Sequence, residues 1–491
     1  MEKNRPEKIS KNLEENMKIC EQMLAISKSF DLLERKMTVG GRACCFYFVD
    51  GFTKDEAMLK IMDSLYGIAE ADMPATARQL VEDHLPYVEV ELLARYEDLG
   101  KNLFAGVLCL FVDGYDYCIA IDCRTYPARG VEEPQKDKVL RGSRDGFVET
   151  LIFNTALIRR RIRDADFRVE IQNVGRASKT DVVLCYMDGR VDQQLLGEIR
   201  KRLQTVDVDA LTMNQESLAE CLYKRRWYNP FPKFKYTERP DTFCQGLLNG
   251  QVGLLVDGLP LGYLAPVDLG ILMKSTEDRA VDYISATCLR VLRYLALLAA
   301  LLLPGLYVAM ATYHQEMIPT KLLLAIIDSK QEVPFDTVFE VIGLLAAFEL
   351  LQEAGLHLPQ AIGTAVSIIG GLAVGTTAVD ARLISPAALI VAASAGICGF
   401  TLSSRDLSDA IRVWRFALAI LAGVGGLFAL TAGGVLLLIH LSGLTSLDVS
   451  YLTPFSDARA ARAILRPRLI RQKWREAALR PQDLRNQGDR T

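Results

Sequence analysis

Apolar and polar positions follow two different patterns along the chain. Up to about Asp282 the apolar residues come in short runs of strand length, separated by turns and by helical stretches with one apolar face. From Val291 to Leu441 they come in long runs with few ionisable side chains. The first pattern predicts a soluble α/β region, and the second predicts helices able to cross about 30 Å of hydrocarbon.

Within the first region an apolar run ends four times in Asp-Gly, at Asp50-Gly51, Asp113-Gly114, Asp188-Gly189 and Asp257-Gly258. After the first and third pairs a helical pattern follows, Thr53 to Gly67 and Asp192 to Leu203. After the second and fourth the chain alternates back as a hairpin strand, Tyr115 to Cys123 and Leu261 to Pro266. The order is the same in both halves, and the offsets agree, since 188 minus 50 is 138 and 257 minus 113 is 144. Two related α/β subdomains are expected, although Asp-Gly is also the commonest hairpin dipeptide. The expected organisation is a helical segment over 1–36, subdomains over 37–130 and 164–285 with a connector over 131–163, a membrane domain over 286–455 and a basic tail over 456–491. The fold class is therefore an α/β cytosolic region of two related subdomains followed by an α-helical polytopic membrane domain.

In the second region four spans are expected: Val291–Tyr313, with Pro304 as a kink, Ala361–Val379, Ile384–Leu402 and Phe416–Leu441. The stretch 338–354 carries Glu340, Glu349 and Glu353 and reads as an interfacial or re-entrant helix. Ten Arg or Lys against four acids follow Phe455. The excess of positive charge places the tail on the cytosolic side, together with the N-terminal region, which an even number of spans satisfies. Arg405, Arg412 and Arg415 then fall in an outside loop, against the same rule. A fifth span over 338–351 would bring them inside but expel the tail.

Charge and composition narrow the chemistry. The net charge is −3 and no basic stripe is interleaved with aromatics, so nucleic acid is not an expected partner. The eleven cysteines have no CxxC or Cys/His spacing and read as small buried thiols in a reducing compartment. The four histidines, at 84, 314, 357 and 440, are isolated. With no phosphate loop, metal-ligand cluster or Ser/His/Asp set, neither an enzyme nor a cofactor is expected. The N-terminus lacks the apolar core of a secretory signal.

Two segments stand out as candidate sites. In Ala361–Val379, glycines alternate with hydroxyls. Small residues there suit a tightly packed bundle helix. They also suit a pore-lining helix in which Ile368, Leu372 and Val374 form a dewetting constriction, Gly370, Gly371 and Gly375 allow close approach, Thr376 and Thr377 solvate ions, and Asp380 rings the mouth or pairs with Arg382. In the connector, Glu132, Glu133, Arg141, Arg144, Glu149, Asn154 and Arg160 are expected to form buried or intersubunit ion pairs and hydrogen bonds that set the angle between subdomains. The triplet Arg159-Arg160-Arg161 reads as a solvated or salt-bridged helix end.

These blocks also carry a resemblance. Val131 to Pro134, Arg141 to Glu149, Asn154, Leu157 to Ile162, Thr237 to Asp241, Phe348 to Gly355 with Leu358-Pro359, Ile369 to Gly375 and Tyr451 to Pro454 are similar to the signature of the GerA family of spore germination proteins, A-subunit type. The resemblance runs from about Gly40 to Pro467. It implies a spore inner-membrane protein that assembles as a homo-oligomeric ring and conducts inorganic ions, with a small membrane protein as a further partner. The Val39 to Phe52 block resembles the family's stage V sporulation type more than its nutrient-receptor A subunits. Ser143, Gln352 and Thr376-Thr377 depart from the family pattern, the last within the expected pore. A membrane-anchored scaffold, in which the duplicated region does the work, is the alternative from a different class.

Overall fold

The computed structural model describes residues 8–87, 89–124, 143–209, 211, 215–223, 228–357, 373–447 and 449–452. They fall into two compact units, one formed by described residues up to 223 together with 234–266, the other by 228–233 with 267–452.

The first unit is a duplication. Its first repeat runs α1 (Leu13–Leu24), β1 (Leu32–Val39), β2 (Arg42–Val49), α2 (Asp55–Tyr66), α3 (Ala77–His84), β3 (Val90–Leu93), α4 (Tyr96–Phe104), β4 (Leu108–Val112) and β5 (Cys118–Ile121). The second runs α5 (Leu151–Arg161), β6 (Phe167–Val174), β7 (Thr180–Met187), α6 (Gln193–Gln204), α7 (Gln215–Leu222), β8 (Lys235–Thr237), α8 (Pro240–Leu248), β9 (Val252–Val256) and β10 (Gly262–Ala265). Each repeat makes one five-stranded antiparallel sheet, and the orders β1-β2-β4-β5-β3 and β6-β7-β9-β10-β8 are equivalent strand for strand.

The four Asp-Gly pairs are the joints of this plan. Gly51, Gly114, Gly189 and Gly258 all hold φ between 78° and 90°, a region in which a side chain is strained. The aspartates have their own role: Asp113 accepts from the Leu13 N–H at 3.1 Å and Asp257 from the Leu151 N–H at 3.2 Å, so each hairpin turn caps the first helix of its repeat. Asn16 and Asn154, 138 residues apart (154 minus 16), each hold both backbone groups of a residue six positions upstream, Ser10 and Val148, with bonds of 2.5–3.0 Å. The segment expected as a connector therefore carries the first helix of the second repeat. Likewise α1 and β1, expected in a separate N-terminal segment, belong to the first.

Both faces of the first sheet are covered, which is why β4 and β5 are apolar at successive positions instead of alternating. Cys45, Tyr47 and Phe111 face α1 and α4, while Cys44, Phe46 and Leu110 face α2 and α3. Burial pushes the Cys44 and Cys45 thiols up to about 12, so they stay protonated and serve as small apolar side chains. In the second sheet Phe243 of α8 lies on Gly253 of β9, where a Cβ would stand 2.2 Å from the ring. Gly253→Ala is expected to destabilise this unit by about 1–3 kcal/mol through overpacking. Thermal unfolding of the purified chain measures it, and an unchanged midpoint would show that the ring can move.

The second unit is helical: α9 (Tyr283–Thr312), α10 (Thr320–Lys330), α11 (Thr337–His357), α12 (Pro386–Phe400) and α13 (Arg405–Ser442). Among the described residues α9 and α13 are long and apolar enough to cross a membrane, and α12 is a shorter apolar helix. The α13 helix is broken. Gly425 and Gly426 leave helical geometry, Gly426 with φ 59° and ψ −143°. The two arms then run back along each other, since the Trp414 and His440 rings are 5.7 Å apart and a Cβ on Gly433 would meet Leu418 at 2.7 Å. The single span expected over Phe416–Leu441 is thus a helical hairpin, whose apex hydropathy alone cannot reveal.

The packing orders the helices. Arg293, near the start of α9, bonds the Met273 carbonyl at 2.9 Å. Tyr313, just past the end of α9, reaches the hairpin apex, where its hydroxyl donates to the Gly423 and Val424 carbonyls at 2.9 and 3.0 Å. A Cβ on Gly423 would meet Val338 at 2.5 Å, so α11 starts at the apex end and runs antiparallel to α9. The α12 helix also runs from the apex end, since Ser385 meets Glu340, to the other, where the Ser403 hydroxyl bonds the Leu272 carbonyl at 2.8 Å. Arg405 and the described residues just after Ser442 therefore lie at one end of this unit.

Candidate functional site

The polar groups of the helical unit decide what it can do, because each is costly in an apolar layer unless partnered. At the end where α9 begins, Asp278 is 1% exposed and lies between Arg290, at 2.9 Å, and Arg293, at 3.0 Å. Burial pushes its carboxyl up, but the hydrogen bonds from Arg293 and Arg290 outweigh burial and hold it below the usual carboxylate range.

The helix α11 spans 21 residues, about 31 Å at 1.5 Å per residue, and was expected to lie at the interface because of its acids. Its acids are partnered instead. Glu349 binds Arg415 at 2.5 Å and Arg412 at 3.1 Å, both on the first arm of α13. Glu340 is 3% exposed and accepts from the Ser385 N–H at the start of α12. These pairings remove the objection that kept α11 out of the bundle in the sequence reading.

Of the pore candidates, Ile368, Gly370, Gly371 and Leu372 lie outside the described residues. Val374, Gly375, Thr376 and Thr377 belong to a single π-helical turn, Ala373–Thr377, a geometry frequent at functional positions. Thr376, Thr377 and Asp380 are exposed. Arg382 pairs with Glu332, not with Asp380.

Of the connector residues, Glu132, Glu133 and Arg141 also lie outside the described residues. Arg144, Glu149 and Arg160 are exposed, whereas Asn154 is buried and forms the helix-start clasp described above. The buried ion pair belongs to a neighbour: Arg159, with no exposed surface, holds Asp31 of the first repeat through two bonds of 2.9 and 3.0 Å. Its guanidinium also lies 4.4 Å from the Phe167 ring and 5.3 Å from that of Phe104, and it bonds the Phe167 carbonyl at 3.2 Å. Arg161 pairs with Asp145. Three successive arginines thus face three directions. The signal that would have singled out Arg159 is its place one turn after Thr155 and Ala156, on the buried side of α5.

Comparison with known proteins decides the assignment. The family described as Bacillus/Clostridium GerA spore germination protein matches residues 20–483. The chain belongs to the GerA family. Among its relatives in Bacillus subtilis (strain 168), Spore germination protein KA is 32% identical over 98% of this chain and 88% of its own length. Stage V sporulation protein AF is 30% identical over 91% and 90%, and Uncharacterized membrane protein YfkQ is 32% identical over 98% and 93%. A solved structure, the N-terminal domain of the A subunit of the Bacillus megaterium spore germinant receptor GerK3, aligns with 53% of this chain and 98% of its own length at 25% identity and a TM-score of 0.41.

GerA membership fits the residues read from the sequence. The relatives include both stage V and germination-protein members at similar identity, so likeness alone does not separate those types.

Proposed function

We propose that this GerA-family chain is a subunit of a homo-oligomeric ion channel in the spore inner membrane that promotes ion release during germination. The observation that carries the reading is the hydroxyl-bearing π-helical turn, Ala373–Thr377, whose Thr376 and Thr377 are exposed in a unit where Asp278 and Glu349 are paired with arginines. A surface of hydroxyls on an apolar unit suits a wet pore shared between copies. In this reading α9, α11, the expected span Ala361–Val379, α12 and both arms of α13 each cross the membrane. Six crossings return the basic tail to the side of the N-terminal region, and the arginines at 290, 293 and 405 gather at that same cytosolic end. Arg144, exposed at the start of the second repeat, is proposed as an assembly contact, and a small membrane protein as a further partner.

Val374→Ala tests the pore assignment. Expression of the variant is expected to raise basal potassium loss from cells several-fold over the parent chain, because a smaller side chain widens and wets the constriction. Equal basal loss at equal membrane abundance would remove 368–377 from the pore.

A second reading, an A subunit of a nutrient germinant receptor, is supported by the 32% identity to Spore germination protein KA across 98% of this chain. Deleting the gene alone and together with those of neighbouring membrane subunits separates the two. A receptor subunit is required for the response to one nutrient, whereas an amplifier of release slows germination with every nutrient.

A further inference from the structure

Glu340 is a buried acid of α11 whose second oxygen has no hydrogen-bond partner among the described residues. Its first oxygen accepts from the Ser385 N–H, and the positive end of α12 supports the negative charge. The hydroxyl of Tyr307 on α9 is buried beside Ser385 and Glu340 and makes no hydrogen bond of ordinary geometry among the described residues. One turn before it, Pro304 has no N–H to give, so the Ala300 carbonyl on the same face of α9 lacks its helical donor. Lys330 of α10 gives its ammonium to the Thr337 hydroxyl, one turn from Glu340, and makes no ion pair with it. A carboxylate that is 3% exposed and bonded through one oxygen is costly in an apolar bundle. Oxygens offered by two helices, α9 and α11, with one negative charge are the chemistry of a monovalent cation. A calcium-type site needs six to eight oxygens and more carboxylate, and no cluster of three acidic, His or Cys groups occurs among the described residues.

We propose that Glu340 and Tyr307, with the Ala300 carbonyl, bind a sodium or potassium ion within each subunit. The bound ion ties α9, α11 and α12 together near the hairpin apex. The site is a property of one chain, so it stands whether or not the assembly conducts.

Thermal unfolding of the detergent-purified full chain, titrated with sodium or potassium chloride against N-methylglucamine chloride at constant ionic strength and pH, tests this. The midpoint is expected to rise saturably with at least one of the two ions. Glu340→Gln, which keeps an oxygen for the Ser385 N–H, is expected to lose the response, and Tyr307→Phe to raise the half-saturating concentration about ten-fold. An equal response in Glu340→Gln and the parent would overturn the proposal, as would a midpoint that follows pH but neither ion, the behaviour of a proton site. Should Glu340→Gln not fold, Tyr307→Phe decides, and an unchanged half-saturation then refutes the site.

Discussion

Arg159→Ala is expected to cost about 3–5 kcal/mol, the usual loss when one partner of a buried ion pair is removed and the other is stranded. Asp31 would keep its charge at 1% exposure with its two guanidinium bonds gone. The faces of Phe104 and Phe167 would lose their cation as well. Since Asp31 precedes the first sheet and Arg159 ends the first helix of the second repeat, the expected phenotype is loosening between repeats. Limited proteolysis of the purified full chain should cut within the repeats at far lower protease than the parent needs. Removing both charges together, as Asp31→Asn with Arg159→Met, should recover much of the loss, because the penalty comes from the stranded charge. A double variant no better than Arg159→Ala would show that the ring contacts, not the ion pair, hold the repeats.

Asp278→Asn should be at least as severe, since it leaves two arginines, each 7% exposed, without their anion at the start of α9. A loss of about 3–5 kcal/mol is expected, read as a lowered unfolding midpoint of the full chain in detergent. The same triad sets a pH dependence whose sign follows from the lowered Asp278 carboxyl. A group with a depressed folded pKa contributes its stability in full above the unfolded value of about 3.9, and that contribution fades as pH falls through the folded value. The midpoint of the parent chain should therefore drop with acid below about pH 4 more steeply than that of Asp278→Asn. Parallel acid profiles would contradict the assignment.

Much of the duplicated fold was legible because its joints are chemically marked. Asp-Gly turns announce themselves, and the runs before them are long enough to read as strands. The clasp formed by Asn16 and Asn154 was not legible, since an asparagine inside a helix usually signals nothing, and without it α5 read as a connector. Periodicity also cannot choose among three adjacent arginines, so Arg160 was preferred to Arg159. In the membrane region hydropathy measures apolarity and is blind to direction. Phe416 to Leu441 looks like one long span, yet two adjacent glycines, one at φ 59°, turn it back on itself. Charge was misjudged in the other direction: Glu340 and Glu349 counted against α11 as a bundle helix because their partners, Ser385, Arg412 and Arg415, are distant in sequence.

Ion conduction through the surface around Ala373–Thr377 is what we propose for this GerA-family chain. Potassium efflux from liposomes carrying the purified full-length chain, with and without the proposed small membrane protein, is the direct measurement. Efflux above that of empty liposomes, and higher still for Val374→Ala, is the result expected of a channel subunit. Efflux equal to empty liposomes for both chains, in preparations shown to be inserted and oligomeric, would contradict it.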